Sequence, residues 1–257
     1  MSENIQLKGI TWNHSRGFVP MTATAQRFSE LHPNVNITWE KRSLQQFADL
    51  SIQQLAERYD LLVIDHPWAG FAAKTHSILP FDEYLSAEFL ADQALNTVGQ
   101  SHESYSYDGH QWALAIDAAT PVAASRPDLL QEKGLALPAN YEDLLGLAKK
   151  GLVAFPGIPI DSLMQFYTFC CSLGEDPCQQ DDIVVSETIG IQALQLYREL
   201  AKHVNVECFN RNPIQTYEAM TLADDIAYCP FGYGYSNYSR DCYARKLLHF
   251  HDMITLN

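Results

Sequence analysis

The sequence predicts an α/β fold in two lobes, and three observations carry that expectation. The opening residues read strand, helix, strand, helix, strand. A short unbroken apolar run in Tyr59-Asp60-Leu61-Leu62-Val63-Ile64 ends in the polar and aromatic Asp65-His66-Pro67-Trp68. The same alternation resumes after residue 120 and leads into a second polar-aromatic run, Phe231 to Tyr238. Parallel neighbours need helical crossovers, and a short run of aliphatics suits a central parallel strand covered on both faces. In open α/β sheets ligands bind outside the carboxyl ends of the strands. Asp65, His66 and Trp68 are therefore expected to line a crevice.

The elements follow in order. Ile5 to Trp12 reads as a first strand and Asn13 to Gly17 as a polar loop. Pro20 opens a helix to about His32, with Ala23, Ala25, Phe28 and Leu31 apolar and His32-Pro33-Asn34 as its stop. Val35 to Trp39 is a second strand with Val35, Ile37 and Trp39 on one face. Ser43 caps a second helix carrying Leu44, Phe47, Leu50, Leu55 and Ala56, and the Tyr59–Ile64 run is the third strand. Trp68 to Lys74 and Ser86 to Asn96 are helices. Asp108-Gly109 between aromatic-rich flanks signals a hairpin. Val122 to Ser125 is a strand, and Arg126-Pro127 begins a helix. Asn140 caps a helix to Lys150, Leu152 to Phe155 is a strand, and a Pro-rich link leads into a helix from about Asp161 to Leu173. Ser186 to Val204 is the clearest amphipathic helix. Asn212-Pro213 opens another to about Leu222, Ile226 to Cys229 is a strand, and Leu247 to His251 is a last one. The first lobe is expected over 1–112, a hinge crossing over 113–120, the second lobe over 121–229, and a return crossing toward the first lobe over 230–257. Two crossings make a hinge, with the cleft between the lobes as the expected binding site.

Composition narrows the function classes. The chain has 257 residues, 47% hydrophobic and 19% charged, an ordinary globular balance. Its net charge of −14 repels phosphate backbones, which argues against nucleic acid as a partner. No apolar run approaches roughly 18 residues, so no membrane-spanning helix is expected. Met1 to Gln6 lacks the basic and apolar stretches of a signal peptide. The expected place is the cytoplasm, or the periplasm or extracellular space if an export signal is missing from this chain. Cys170, Cys171, Cys178, Cys208, Cys229 and Cys242 lack the paired spacing of a zinc knuckle, and buried free thiols are the expectation.

If the first and third strands are neighbours, their ends gather His14, Arg16, Asp65 and His66 at one rim. Arg16 can take a carboxylate or phosphate through two N–H groups; the alternative is a solvated Arg beside a loop His. In the second run, glycines let the backbone approach a ligand, and tyrosines offer flat faces with hydroxyls at the rim. Asn237 supplies donor and acceptor together. Tyr233, Tyr235 and Asn237 are therefore candidate cleft residues suited to a polyol or small polar metabolite, and Asp117 joins them from the expected crossing. The alternative is a Tyr-rich turn packed on the lobe surface. Asp65 with His66 also has the residue types of a general-base pair or half a metal site. Adjacent strand residues point to opposite faces, however, so catalysis is not the reading. Cys170-Cys171 has no evident base, and His249 with His251 supplies too few ligands for a metal site. There is no Walker A loop, G-x-G-x-x-G, G-x-S-x-G or H-E-x-x-H, and no cofactor is expected.

Several stretches recur together in one known order. They are Ile10 to Phe18, then Arg27 to Ile37 with its F-x-x-x-x-P-x-V-x-I pattern, then Tyr59-Asp60-Leu61-Leu62-Val63-Ile64 and Leu79-Pro80-Phe81-Asp82. Pro127-Asp128-Leu129-Leu130, Tyr141-Glu142-Asp143-Leu144-Leu145 and Ile226 to Tyr233 follow. In this order the chain resembles the extracellular solute-binding proteins of ABC transporters, in the maltose-binding-protein-like family. The resemblance implies a type II periplasmic-binding-protein-like fold with hinge and inter-lobe cleft. It implies a non-catalytic protein that closes on a small ligand, often a sugar, and delivers it to a membrane permease. Carried over by position, it implies ligand loops at His14, Arg16, Asp65, His66, Trp68 and Tyr233. The chain departs from the family in lacking a signal peptide or lipid-anchor cysteine. It also stops at Asn257, where family members continue with further first-lobe helices. Absent helices would leave apolar surface on the first lobe and invite a homodimer. The expected function is small-solute binding. The rival readings are a cytosolic Cys- or metal-assisted enzyme on the same fold and an intracellular ligand sensor.

Overall fold

The computed structural model describes residues 4–44, 46, 50–180 and 182–256. The chain divides into two compact units, Met1–Ala118 and Ala119–Asn257.

In the first unit β1 (Ile5–Trp12) lies between β2 (Val35–Arg42) and β3 (Leu61–Leu62), and both pair with it in parallel. The order corrects one expectation. Among the described residues the Tyr59–Ile64 run is not central: β3 is short and stands at the sheet edge, with Leu61 and Leu62 only partly buried. The strand with a neighbour on each side is β1, and its last four residues are buried. Two backbone bonds extend the β3 pairing, Asp60 N–H to the Lys8 carbonyl at 2.8 Å and Val63 N–H to the Ile10 carbonyl at 3.0 Å.

The first helix, α1 (Ser15–Leu31), begins ahead of Pro20 and carries it inside. His14 makes this possible: its side chain accepts the Arg16 backbone N–H, which caps the helix directly after β1. Gly17 is required there. A Cβ on it would lie closer than van der Waals contact to the indole of Trp12. The helix expected after Ser43 runs over residues 45 and 47–49, outside the described residues. Beyond it come α2 (Ile52–Ala56), α3 (Trp68–Thr75) and α4 (Ala87–Leu95), the last capped by Ser86. The hairpin β4 (Ser106–Tyr107) and β5 (His110–Gln111) turns on Asp108 and Gly109, at φ 52° and 82°. Positive φ at both positions is what a type I′ turn demands.

In the second unit β6 (Pro121–Ser125) lies between β7 (Tyr228–Tyr233) and β8 (His249–His251), antiparallel to both. The helices are α5 (Pro127–Glu132), α6 (Tyr141–Ala148), α7 (Pro159–Ser172), α8 (Glu187–Ala201) and α9 (Pro213–Leu222). Asn140 caps α6 by accepting the Asp143 N–H at 2.9 Å, and Asn212 with Gln215 forms a capping box at α9. The expected strand at Leu152 to Phe155 is a bridge of Val153 to Tyr228, parallel to β7. Leu144, Phe155, Phe169, Leu200, Tyr217 and Tyr228 are at the centre of this core. Arg126 is 1% exposed and fully matched: it donates to Asp128, to Asp224 and to the Met220 and Ala223 carbonyls.

Residues 230–257 are expected as a return crossing toward the first lobe. These residues belong to the second unit, where β7 and β8 flank β6. Packing explains it: the Phe231 ring lies 4.9 Å from that of Phe169, and Tyr238 is fully buried. Among the described residues no helix is long and apolar enough to cross a membrane.

Replacing Gly17 with Ala forces the start of α1 away from Trp12. Urea unfolding is expected to show a loss of about 1–3 kcal/mol, the usual penalty of overpacking a tight contact.

Candidate functional site

Parallel pairing delivers the carboxyl ends of β1, β2 and β3 to one edge of the first unit. His14 follows β1, and its Nδ1 accepts the Arg16 N–H at 3.2 Å. Burial pulls the His14 pKa below its ordinary value; the Arg16 guanidinium adds to this and Asp117 opposes it. Arg16 is one residue into α1. Its Nε and Nη2 donate to Asp117 Oδ2 at 3.0 and 2.5 Å. The fork expected to face a ligand anion therefore already holds a carboxylate of its own unit. Asp117 Oδ1 accepts the Ala118 N–H at 3.0 Å.

Asp65 and His66 follow β3. Asp65 Oδ1 accepts the His66 N–H at 3.2 Å, and among the described residues Oδ2 has no hydrogen-bond partner. Although Asp65 is open to solvent, the protein crowding its carboxyl raises its pKa. The His66 N–H and the charges of His66 and Arg42 oppose the rise. Trp68 begins α3, donates its N–H to the Asp65 carbonyl at 3.1 Å, and sets its ring edge-on to Phe71 at 5.8 Å.

Two residues at this edge escaped the sequence reading. Arg42 ends β2, is 5% exposed, and donates from Nη2 to the Val63 carbonyl at 2.8 Å. Burial brings it down to about 10, with Asp65 the largest opposing charge. The only sequence signal was a basic residue closing an alternating strand, which reads as solvated. Tyr105 packs its ring 6.0 Å from His66, edge to face. Burial pushes its hydroxyl up to about 12, and the Asp65 and Asp117 charges push the same way. Tyr105 thus lies within the field of both carboxylates. It precedes the Asp108-Gly109 turn, where an aromatic reads as hairpin packing.

The second unit treats its candidates differently. Tyr233 closes β7, is half-buried, and its carbonyl accepts the Tyr217 hydroxyl at 2.8 Å. Tyr235 and Asn237 are 7% and 6% exposed. The Tyr235 ring lies 6.3 Å from the buried Tyr217, and Tyr238 packs on Tyr217 from 5.5 Å. Tyr235 therefore sits in the aromatic interior of this unit, and Asn237 is buried two residues along.

A third unforeseen group is Asp161, 6% exposed in the first turn of α7. No donor reaches its Oδ2, and burial alone pushes its pKa to about 7. One turn along, Gln165 donates Nε2 to the Pro156 carbonyl while its own Oε1 is buried without a donor. Tyr197 on α8 and Cys229 on β7 face Asp161 and feel its charge. An acid in a first helical turn is ordinary N-terminal chemistry, so the sequence held no hint of burial.

The thiols run against a nucleophile. Burial pushes up Cys170, Cys171 and Cys208, and Cys229 to about 12; a reactive cysteine needs the opposite shift. Among the described residues no three His, Cys, Asp or Glu side chains gather to hold a metal.

A family model described as bacterial extracellular solute-binding protein matches residues 12–182, more than half the chain. Solved structures are similar over nearly all of it. An ABC transporter solute-binding protein from Agrobacterium radiobacter K84 in complex with ribitol is 18% identical, with a TM-score of 0.78, over 99% of this chain and 68% of that one. Maltose-bound MalE3 of T. maritima is 13% identical, with a TM-score of 0.78, over 96% and 66%. An ABC transporter solute-binding protein from Agrobacterium vitis S4 with bound D-mannitol is 14% identical, with a TM-score of 0.74, over 98% and 64%. The chain thus spans about two thirds of their length. At such low identity the likeness establishes the fold, which is the α/β fold of periplasmic solute-binding proteins, as expected.

Two outcomes follow. Asp161 has a folded pKa near 7 against an unfolded value near 3.8, so the fold favours its protonated form. Its contribution is complete below about pH 4 and is lost as pH rises through 7, at no more than about 1.4 kcal/mol per pH unit. Melting curves from pH 5 to 8 should show that slope in the native chain and a flatter one in Asp161→Asn. Alkylation followed by mass spectrometry should label the exposed Cys171, Cys178 and Cys242 first and reach the buried Cys170, Cys208 and Cys229 only on unfolding.

Proposed function

The chain belongs to the bacterial extracellular solute-binding protein family, and from that premise we propose that it binds a neutral polyhydroxyl solute, a sugar or sugar alcohol. The first unit's strand-end edge holds it. One observation carries the chemistry: the arginine that follows β1 is already held by an acid, and the arginine that ends β2 is buried. Arg16 is held by Asp117, and Arg42 by the Val63 carbonyl with Asp65 nearby. An anionic ligand would meet Arg16 already paired with a carboxylate and Arg42 buried behind the edge. What the edge still offers is acceptors and a ring: Asp65 Oδ2, the Tyr105 hydroxyl and the exposed His66. Hydroxyl groups donate to a carboxylate, and the C–H faces of a sugar lie against aromatic rings.

Ribitol, D-mannitol and maltose, bound in the similar structures, share this chemistry, which supports the reading. In this proposal Asp65 and Asp117 accept ligand hydroxyls and His14 orients the loop that carries Arg16. Work outside the cell and delivery to an ABC permease belong to the same proposal, supported by the family's description. The enzyme reading has less behind it, because burial disarms its candidate thiols.

Isothermal titration against ribitol, D-mannitol, maltose and D-glucose tests it. Saturable binding of at least one is expected, with Asp65→Asn weakening it by about tenfold or more, or about 1.4 kcal/mol. A folded chain that binds none of them, or binds one equally well after Asp65→Asn and Trp68→Ala, overturns the proposal.

A further inference from the structure

The second unit carries a cavity of about 430 Å³ that shares no residue with the candidates above. Its wall combines the ends of α6 and α8 with the approaches to α9 and β7. Lys149 follows α6, Lys202 and His203 follow α8, Arg211 precedes α9, and Asp225 precedes β7. Lys149, Lys202 and Arg211 thus face a single acid, in a chain whose net charge is −14.

Lys202 and His203 already have a partner. Lys202 Nζ is 2.5 Å from one Glu199 carboxylate oxygen and His203 Nε2 is 3.3 Å from the other. Arg211 and Lys149 do not: among the described residues neither side chain makes a hydrogen bond or ion pair. Lys149 is exposed, but Arg211 is half-buried and has lost part of its water without gaining an anion. The Arg211 backbone is fixed, its N–H donating to the Cys208 carbonyl at 3.2 Å and its carbonyl accepting the Gly157 N–H at 3.0 Å. Helix carbonyl ends attract cations, which accounts for Lys149 and Lys202 at the ends of α6 and α8. Arg211 caps only the five-residue 3-10 turn Val206–Asn210, whose dipole is much smaller than that of an α-helix, so that effect contributes little to placing a guanidinium in this cavity.

We propose that the cavity binds a small organic oxyanion, a phosphate or carboxylate group on a polar body, through Arg211 and Lys149. A guanidinium presents two parallel N–H groups to two oxygens of one anionic group. Lys149 adds a second charge, and Asn205 an amide. Asp225 opposes a second anionic group and instead accepts from a hydroxyl or ammonium on the body of the ligand. The volume lies within the usual range for small-molecule sites, roughly 300–1,000 Å³, which leaves room beyond a bare ion.

Isothermal titration at constant ionic strength tests this, with inorganic phosphate, glycerol 3-phosphate and citrate as probes and glycerol as the neutral control. At least one anionic probe is expected to bind saturably. Arg211→Gln should weaken it by about tenfold or more, and Lys149→Gln by a smaller factor. Binding of glycerol 3-phosphate without citrate assigns a phosphate, and the reverse assigns a carboxylate. Melting curves show whether each variant is folded; if Arg211→Gln is not, the exposed Lys149→Gln carries the comparison. No binding by any of the three anions, or an unchanged Kd in every folded variant, overturns the proposal.

Discussion

The first unit depends on one constraint: β1 pairs in parallel with a strand on each side. Three parallel strands release the chain at the same edge, so loops distant in sequence start from one place. Ile5 pairs with Val35 and Trp12 with Arg42, while Gly9 and Ile10 pair with Leu61 and Leu62. His14, Arg42 and Asp65 are therefore neighbours because of register, before any side-chain contact is made. Gly17 and Trp12 then fix the angle at which α1 leaves, and the His14 cap sets where it begins.

Charge matching gives that edge its chemistry. Burying an arginine to 5% exposure is costly; at Arg42 the Val63 carbonyl takes one donor and the charge of Asp65 offsets part of the rest. Arg16 has Asp117, which comes from the end of the unit. With Arg16 paired and Arg42 buried, the exposed groups at this edge are the Asp65 carboxylate and the His66 ring. The contrast with the second unit's cavity is physical: there, among the described residues, Arg211 and Lys149 make no ion pair, and the same side-chain type points to the opposite class of ligand.

Much of this was legible in the chain. Strand β1, the Asp-Gly hairpin and the Asn140 and Asn212 caps follow from short-range rules of periodicity, turn geometry and capping. The fold class followed from the order of several soft motifs. His14, Arg16, Asp65 and His66 fall at one edge because parallel crossovers put strand ends together, and Asp117 joins them through its bonds to Arg16. What stayed hidden depends on tertiary packing. Four aliphatics in a row read as a central strand, but which strand has two neighbours is settled by pairing alone. Tyr235 reads as a rim group until Tyr217, from α9, is seen beside it, and Asn237 as one until its burial is seen. Arg42 and Asp161 are polar residues whose burial leaves no local mark.

The central claim is that the first unit's strand ends hold a neutral polyhydroxyl solute. Proton–nitrogen spectra of the His66 and Trp68 side chains during a ribitol titration test it most directly. Saturable shifts at both, described by one Kd and absent at His203, are the predicted result. Shifts confined to His203, or none in a folded chain at saturating ribitol and mannitol, would contradict it.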